Sequence, residues 1–150
     1  MYRFTLSGSP VPQKQTQFSC RSGKPHAYNP SQKDLEMIRW QVRPFAPETP
    51  LEGPIDLRIM FFMPIPKATS KARADQMQRR IMLPITRPDV DNLAYLVTNA
   101  LKTIVYTDDS QICEQHIYKV YDANPRTEII VKSIQTAEKY GLRIPGENDI

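Results

Sequence analysis

After Pro88 the apolar residues recur at Val90, Leu93, Leu96, Val97, Ala100, Leu101 and Ile104. That spacing lays one broad apolar stripe along a helix and predicts an α-helix over residues 89–104. Pro88 cannot continue a helix backward and Asp89 is a suitable N-cap, so the start is marked as well. A stripe this wide has to be covered by something equally apolar. Ile55, Leu57, Ile59, Phe61 and Met63 alternate with Asp56, Arg58, Met60 and Phe62. This predicts a strand apolar enough on both faces to be central in a sheet.

The remaining elements follow from weaker signals. Tyr2, Phe4 and Leu6 alternate with Arg3, Thr5 and Ser7, as in a half-buried strand. Residues 9–30, with Pro10, Pro12, Pro25 and Pro30, read as a long polar loop. Ser31 is a good N-cap for a helix carrying Leu35, Ile38 and Val42, and Pro44 stops it. Four prolines make residues 44–54 a stiff connector. Residues 67–82 are basic and weakly helical, which predicts a mobile arm or a helix that orders on binding. Residues 111–121 and 126–134 read as strands joined by a turn at Asp122-Ala123-Asn124-Pro125. The last sixteen residues are weakly helical at first, with a loosely ordered tail over 141–150. Together these predict a single α+β domain, a small mixed sheet with helices packed on one face.

Several function classes find no support. No apolar run approaches the roughly 20 residues that span a bilayer. The N-terminal stretch alternates like a strand and lacks a signal-peptide core, so a cytoplasmic protein without a membrane partner is expected. Cys20 and Cys113 are too few for a disulfide framework, and Cys20 with His26 lacks flanking zinc ligands. His116 reads as a side chain on a half-exposed strand face. With five glycines in the chain there is no G-x-x-x-x-G-K phosphate loop.

Charge is more informative in its distribution than in its net value of +4. Residues 1–30 carry Arg3, Lys14, Arg21 and Lys24 and no acid. Residues 64–87 carry Lys67, Lys71, Arg73, Arg79, Arg80 and Arg87 against Asp75 alone. Between 89 and 114 the balance inverts: Asp89, Asp91, Asp108, Asp109 and Glu114 face Lys102 alone. Basic flanks around an acidic centre suit a polyanion held over bound cations. Taken singly, either aspartate pair has an ordinary explanation, as a first helical turn or as a turn motif. Two pairs bracketing one helix point instead to Mg²⁺, a hard cation that prefers carboxylate oxygen and keeps waters for phosphate to displace. Such an ion activates water for phosphodiester hydrolysis. The helix is roughly 24 Å long, so its two ends meet only if the chain turns back. That return runs either along its own helix or beside another subunit's.

Arg87-Pro88-Asp89-Val90-Asp91-Asn92-Leu93, the apolar helix, Asp108-Asp109-Ser110-Gln111-Ile112 and Lys119 resemble the signature of the RusA family of Holliday-junction resolvases. Gly8-Ser9-Pro10-Val11-Pro12-Gln13-Lys14 and Ala27-Tyr28-Asn29-Pro30 resemble further segments of that family. The resemblance implies a homodimer that cuts four-way DNA junctions with Mg²⁺ or Mn²⁺, in recombination and repair. It implies Asp89, Asp91 and Asp109 as essential carboxylates with Asp108 beside them, and it fits a prophage-type origin. Where the family carries a cation one turn after the second aspartate, this chain has Tyr95; where it carries a later acid, this chain has Asn99. Lys119 or Arg87 is expected to supply the missing charge, with Lys119 preferred because the family also carries lysine at its position, and Lys14, Arg21, Lys71, Arg73, Arg79, Arg80 and Arg87 are expected to meet phosphates. The alternative is a catalytically impaired protein that binds junctions or other DNA.

Overall fold

The computed structural model describes residues 1–21 and 23–134 of the chain. In order they form β1 (Tyr2–Ser7), β2 (Gln17–Arg21), β3 (Lys24–Tyr28), α1 (Gln32–Val42), β4 (Ile55–Pro64), α2 (Lys71–Gln78), α3 (Val90–Leu101), β5 (Ile112–Asp122) and β6 (Arg126–Ser133). Short 3-10 turns occupy Arg43–Phe45 and Asp109–Gln111. The expected weakly helical stretch after residue 134 and the tail over 141–150 lie outside the described residues.

The main sheet has the order β1-β6-β4-β5. β4 is central, as its two apolar faces predicted: it runs parallel to β5 and antiparallel to β6. β6 pairs antiparallel with β1 on its other side, Tyr2 opposite Val131. The fold is therefore the expected α+β domain with a mixed sheet. The two strands joined by the turn after Asp122 do not pair with each other, because β4 lies between them. Asp122 lies level with Pro64 of β4 and Arg126 level with Phe62, so the short connection crosses the end of β4. Arg126 secures this crossing: its guanidinium lies 3.5 Å from the Phe62 ring centroid, and it pairs with Asp122 at 3.4 Å and Glu128 at 2.7 Å.

Ile55, Leu57, Ile59, Phe61 and Met63 of β4 share one core with Leu93, Leu96, Val97, Ala100 and Leu101 of α3. Leu35, Ile38 and Val42 of α1 join the same core, as do Phe4, Leu6, Ile129 and Val131 of the outer strands. The stripe on α3 is thus buried from Leu93 to Leu101, while Val90 at its start is exposed. Arg39 of α1 donates to the carbonyls of Ala100 and Asn99, placing a cation at the negative end of α3.

Residues 9–30 are not all loop: β2 and β3 form an antiparallel hairpin that pairs only with itself. The preceding segment is stitched to both helices. Gln13 N–H donates to the Asn92 carbonyl at 2.9 Å, and Lys14 N–H to Ser31 Oγ at 2.7 Å. Within the basic stretch, α2 is a formed helix, held by the buried Met77 and by Gln78, whose Oε1 accepts from Ala123 N–H at 2.8 Å.

Candidate active site

Asp89 is the N-cap of α3, and its extended backbone ends the preceding loop, yet its side chain makes no cap hydrogen bond. The carboxylate is therefore not spent on the helix end. Asp91, in the first turn, is exposed. Among the described residues no cation comes within ion-pair distance of either. Neither carboxylate is neutralised by an ion pair, and both stand at the positive end of α3, where the helix dipole favours negative charge.

The second pair reaches the site because the chain folds back along its own helix. Lys102 ends α3, and Thr103 takes a φ of 68°, a left-handed turn that costs a non-glycine residue strain. Thr103 N–H donates to the Tyr106 carbonyl at 2.7 Å, and the buried Tyr106 hydroxyl donates to the Thr98 carbonyl at 2.9 Å. The return is thereby pinned to the last turns of α3. Burial pushes the Tyr106 phenol up from its usual range, so it stays a neutral donor.

The result is an open hollow of about 360 Å³ between α3 and the start of β5. Asp91, Ala94, Tyr95 and Thr98 line it from α3; Asp109, Ile112, Cys113, Gln115 and Ile117 line it from the other side. Asp91 and Asp109 thus share one cavity within one chain. Asp89 opens instead onto a neighbouring groove with Arg87, Pro88 and Asn92, walled by Pro10, Pro12, Gln13 and Gln15.

Asp108 has a different task from Asp109. Its carboxylate accepts from Ser110 N–H at 3.0 Å, and its own N–H donates to Gln111 Oε1 at 2.8 Å, a reciprocal capping box. Gln111 Nε2 donates onward to the carbonyls of Leu51 at 3.0 Å and Gly53 at 2.9 Å. The D-D-x-Q sequence is accordingly a turn that clamps itself to the entry of β4. Lys102 Nζ lies 3.0 Å from Asp109 Oδ1 and pairs with Asp108 as well. It holds the Asp108 carboxyl well below the usual carboxylate range, with the Ser110 hydrogen bonds adding to the effect. The same pairing raises the Lys102 ammonium. Sequence reasoning passed over Lys102, although it is the single base in the acidic stretch and that isolation was the available signal.

Tyr95 projects into the hollow beside Asp91, as their helical spacing requires. Lys119 Nζ donates to the carbonyls of Thr86 at 3.0 Å and Pro88 at 2.9 Å, tying the loop before Asp89 to β5. Of the expected phosphate contacts, Lys71, Arg73, Arg79, Arg80 and Arg87 are exposed. Lys14 pairs with Asp34 at 3.5 Å, and Arg79 with Asp75 at 3.6 Å. The backbone of Arg21 ends β2, while its side chain lies outside what is described.

Asp91 and Asp109 could offer one carboxylate each from opposite sides of the open hollow, a donor set that would suit an ion retaining several waters. Among the described residues, the group of three ligand atoms within 4.8 Å of one another lies elsewhere, at Asp56, Glu114 and His116. There Arg58 already compensates the buried Asp56, with Arg58 Nη2 at 3.0 Å from Asp56 Oδ2.

Comparison with known proteins adds two findings. The family model described as Endodeoxyribonuclease RusA matches residues 7–132. The chain is also 31% identical over 136 residues to "Uncharacterized protein YqaN" of Bacillus subtilis (strain 168), covering 88% of this chain and 96% of that protein. The matched span includes both aspartate pairs, the hollow between them and the segment stitched to the start of α3.

Proposed function

The chain belongs to the endodeoxyribonuclease RusA family, and from that premise we propose that it resolves four-way (Holliday) DNA junctions in recombination and repair. Catalysis is hydrolysis of a phosphodiester assisted by Mg²⁺, with Mn²⁺ able to substitute. The observation that carries this reading is the shared hollow of Asp91 and Asp109, two carboxylates from separate motifs that line it from opposite sides.

In this reading Asp91 and Asp109 hold the ion, and Asp89 adds a carboxylate from the adjoining groove. The ion, when bound, activates a water and offsets charge on the phosphate and the leaving oxygen. Asp108 and Lys102 set the position of Asp109 from behind. Lys119 fixes the loop that delivers Asp89 and contributes its charge to the field there. Tyr95 offers the phosphate a hydrogen bond or a stacking surface in place of a cation. Lys14, Arg21, Lys71, Arg73, Arg79, Arg80 and Arg87 contact the DNA backbone, and two copies form a homodimer whose two-fold axis matches that of the junction. Incubating the protein with a synthetic four-way junction, in Mg²⁺ or in EDTA, tests it. Paired, symmetric cuts that require the metal are expected, and intact junction in Mg²⁺ counts against it.

A second reading has one observation in its favour: the neutral Tyr95 in the hollow. It makes the protein a junction-binding relative with impaired cleavage. The same assay separates the two readings, because it records retention of the junction independently of cutting.

A further inference from the structure

Three exposed apolar side chains stand in one loop. Ile81 is 66% exposed, Leu83 55% and Ile85 94%. They alternate with Met82, which is half-buried, and Pro84, which is buried, so the loop turns its apolar row outward and roots its other side in the protein. The loop is held at both ends. Arg80, Ile81 and Met82 N–H groups donate to the carbonyls of Met77 and Gln76 at the close of α2. At the far end, Lys119 Nζ grips the carbonyls of Thr86 and Pro88. The row is displayed by a supported backbone, in water, where aliphatic side chains are unfavourable.

The surroundings select the occupant. Arg79, Arg80 and Arg87 are exposed at the two ends of the row, and Lys71 and Arg73 follow on α2. A second copy docking here about a two-fold axis would bring these arginines against their own counterparts, a repulsive arrangement. A polyanion with apolar interior surfaces fits both features: arginines take its phosphates while the aliphatic tips take its bases. Apolar wedges of Ile and Leu between base steps are a general means of opening DNA. They enter most easily where stacking is already interrupted, as at the branch point of a junction. Ile85 is four residues from Asp89 and so within about 14 Å of it along the chain.

We propose that Ile81, Leu83 and Ile85 form an apolar wedge that enters the branch point of the DNA and unstacks the base pairs beside the phosphate to be cut. This rests on the reading of the substrate as branched DNA and adds to it a structural distortion and the side chains that cause it.

The test uses the full-length protein in EDTA and a four-way junction carrying 2-aminopurine at the branch point, with the same label inside a plain duplex as control. Wild type should raise the fluorescence of the junction severalfold and leave the duplex unchanged. Leu83→Ser with Ile85→Ser should abolish the rise and weaken junction binding, while duplex binding, which rests on phosphates, is retained. Ile85→Trp gives an independent readout: compared with wild type, its added emission should be quenched by the junction and not by the duplex. A junction that binds without any fluorescence rise overturns the wedge and leaves the substrate reading standing. A double variant that unstacks the junction as well as wild type overturns it too. So does a double variant whose sedimenting mass is half that of wild type, because the row would then be a contact between copies. Wild type that binds junction no better than duplex overturns the substrate reading, and the wedge falls with it.

Discussion

Lys102 Nζ lies 3.0 Å from Asp109 Oδ1, the carboxylate that lines the hollow from the side opposite Asp91. The same ammonium pairs with Asp108, so one cation compensates two neighbouring acids at the end of the turn. Lys102 therefore acts on the site through Asp109. Lys102→Met should lower the maximal single-turnover cleavage rate by roughly 10–100-fold, the range typical of outer-shell partners of a metal ligand. It should also shift half-saturation to lower Mg²⁺, because the site becomes more negative. A magnesium titration of the cleavage rate separates the two effects.

In the proposed site Asp91 is a ligand of the ion, not a partner of one. Asp91→Asn should therefore cost more than the roughly 100-fold upper range of an outer-shell change. Junction affinity should hold or improve, since a charge that repels phosphate is gone. Cleavage and gel-shift measurements on the same preparation check both, and cutting at the wild-type rate would remove Asp91 from the site.

Tyr106 secures the return of the chain by its hydrogen bond to the buried turn of α3. Tyr106→Phe removes that bond while the Thr98 carbonyl keeps the Lys102 N–H, so the expected cost in folding stability is about 0.5–1.5 kcal/mol. Urea denaturation should show the lower midpoint at an unchanged slope. Cleavage should fall as well, because Asp109 is delivered by the same turn.

Lys119→Ala frees the loop that ends at Asp89. With enzyme in excess, the rate of cutting should drop roughly 10–100-fold, and junction affinity should change much less. Tyr95→Lys should keep or raise the rate, since it restores a cation beside Asp91. A wild-type rate in the first variant together with an inert second variant would show that Lys119 does not compensate for a missing cation and that Tyr95 has another role.

Arg79→Ala with Arg80→Ala should weaken binding to all DNA sequences alike. The slope of log affinity against log salt should fall by about 2, one unit for each lost phosphate contact. Fluorescence anisotropy over a range of salt concentrations measures it.

The elements legible in the sequence are those whose signal is their own burial. α3 and β4 declare themselves because each spends most of its length in the core. The β2–β3 hairpin had no such signal: among the described residues its two strands pair with each other and stand apart from the main sheet. In α2 the one buried residue is Met77, too little to set a period. The separation of β5 from β6 was also out of reach, since a short turn ordinarily implies neighbouring strands and only the presence of β4 denies it. In the site, the acidic residues were visible and their meeting was not. That meeting depends on a left-handed Thr103, a conformation no local residue preference announces, and on a tyrosine hydroxyl reaching back to Thr98.

The position of β6 also bears on how the chain becomes a nuclease as it is made. Among the described residues β6 is the last strand, yet it sits between β1, the first, and β4, so that Tyr2 pairs with Val131. β4, α3 and β5, with the hollow between the last two, are all present by Asp122. The sheet cannot close until the following strand slides into the gap. A ribosome-bound chain thus holds its acidic residues before it holds a finished sheet, and such long-range pairing is slow to form. β6 thus works as a latch, joining the strand made first to the sheet that carries the acidic residues.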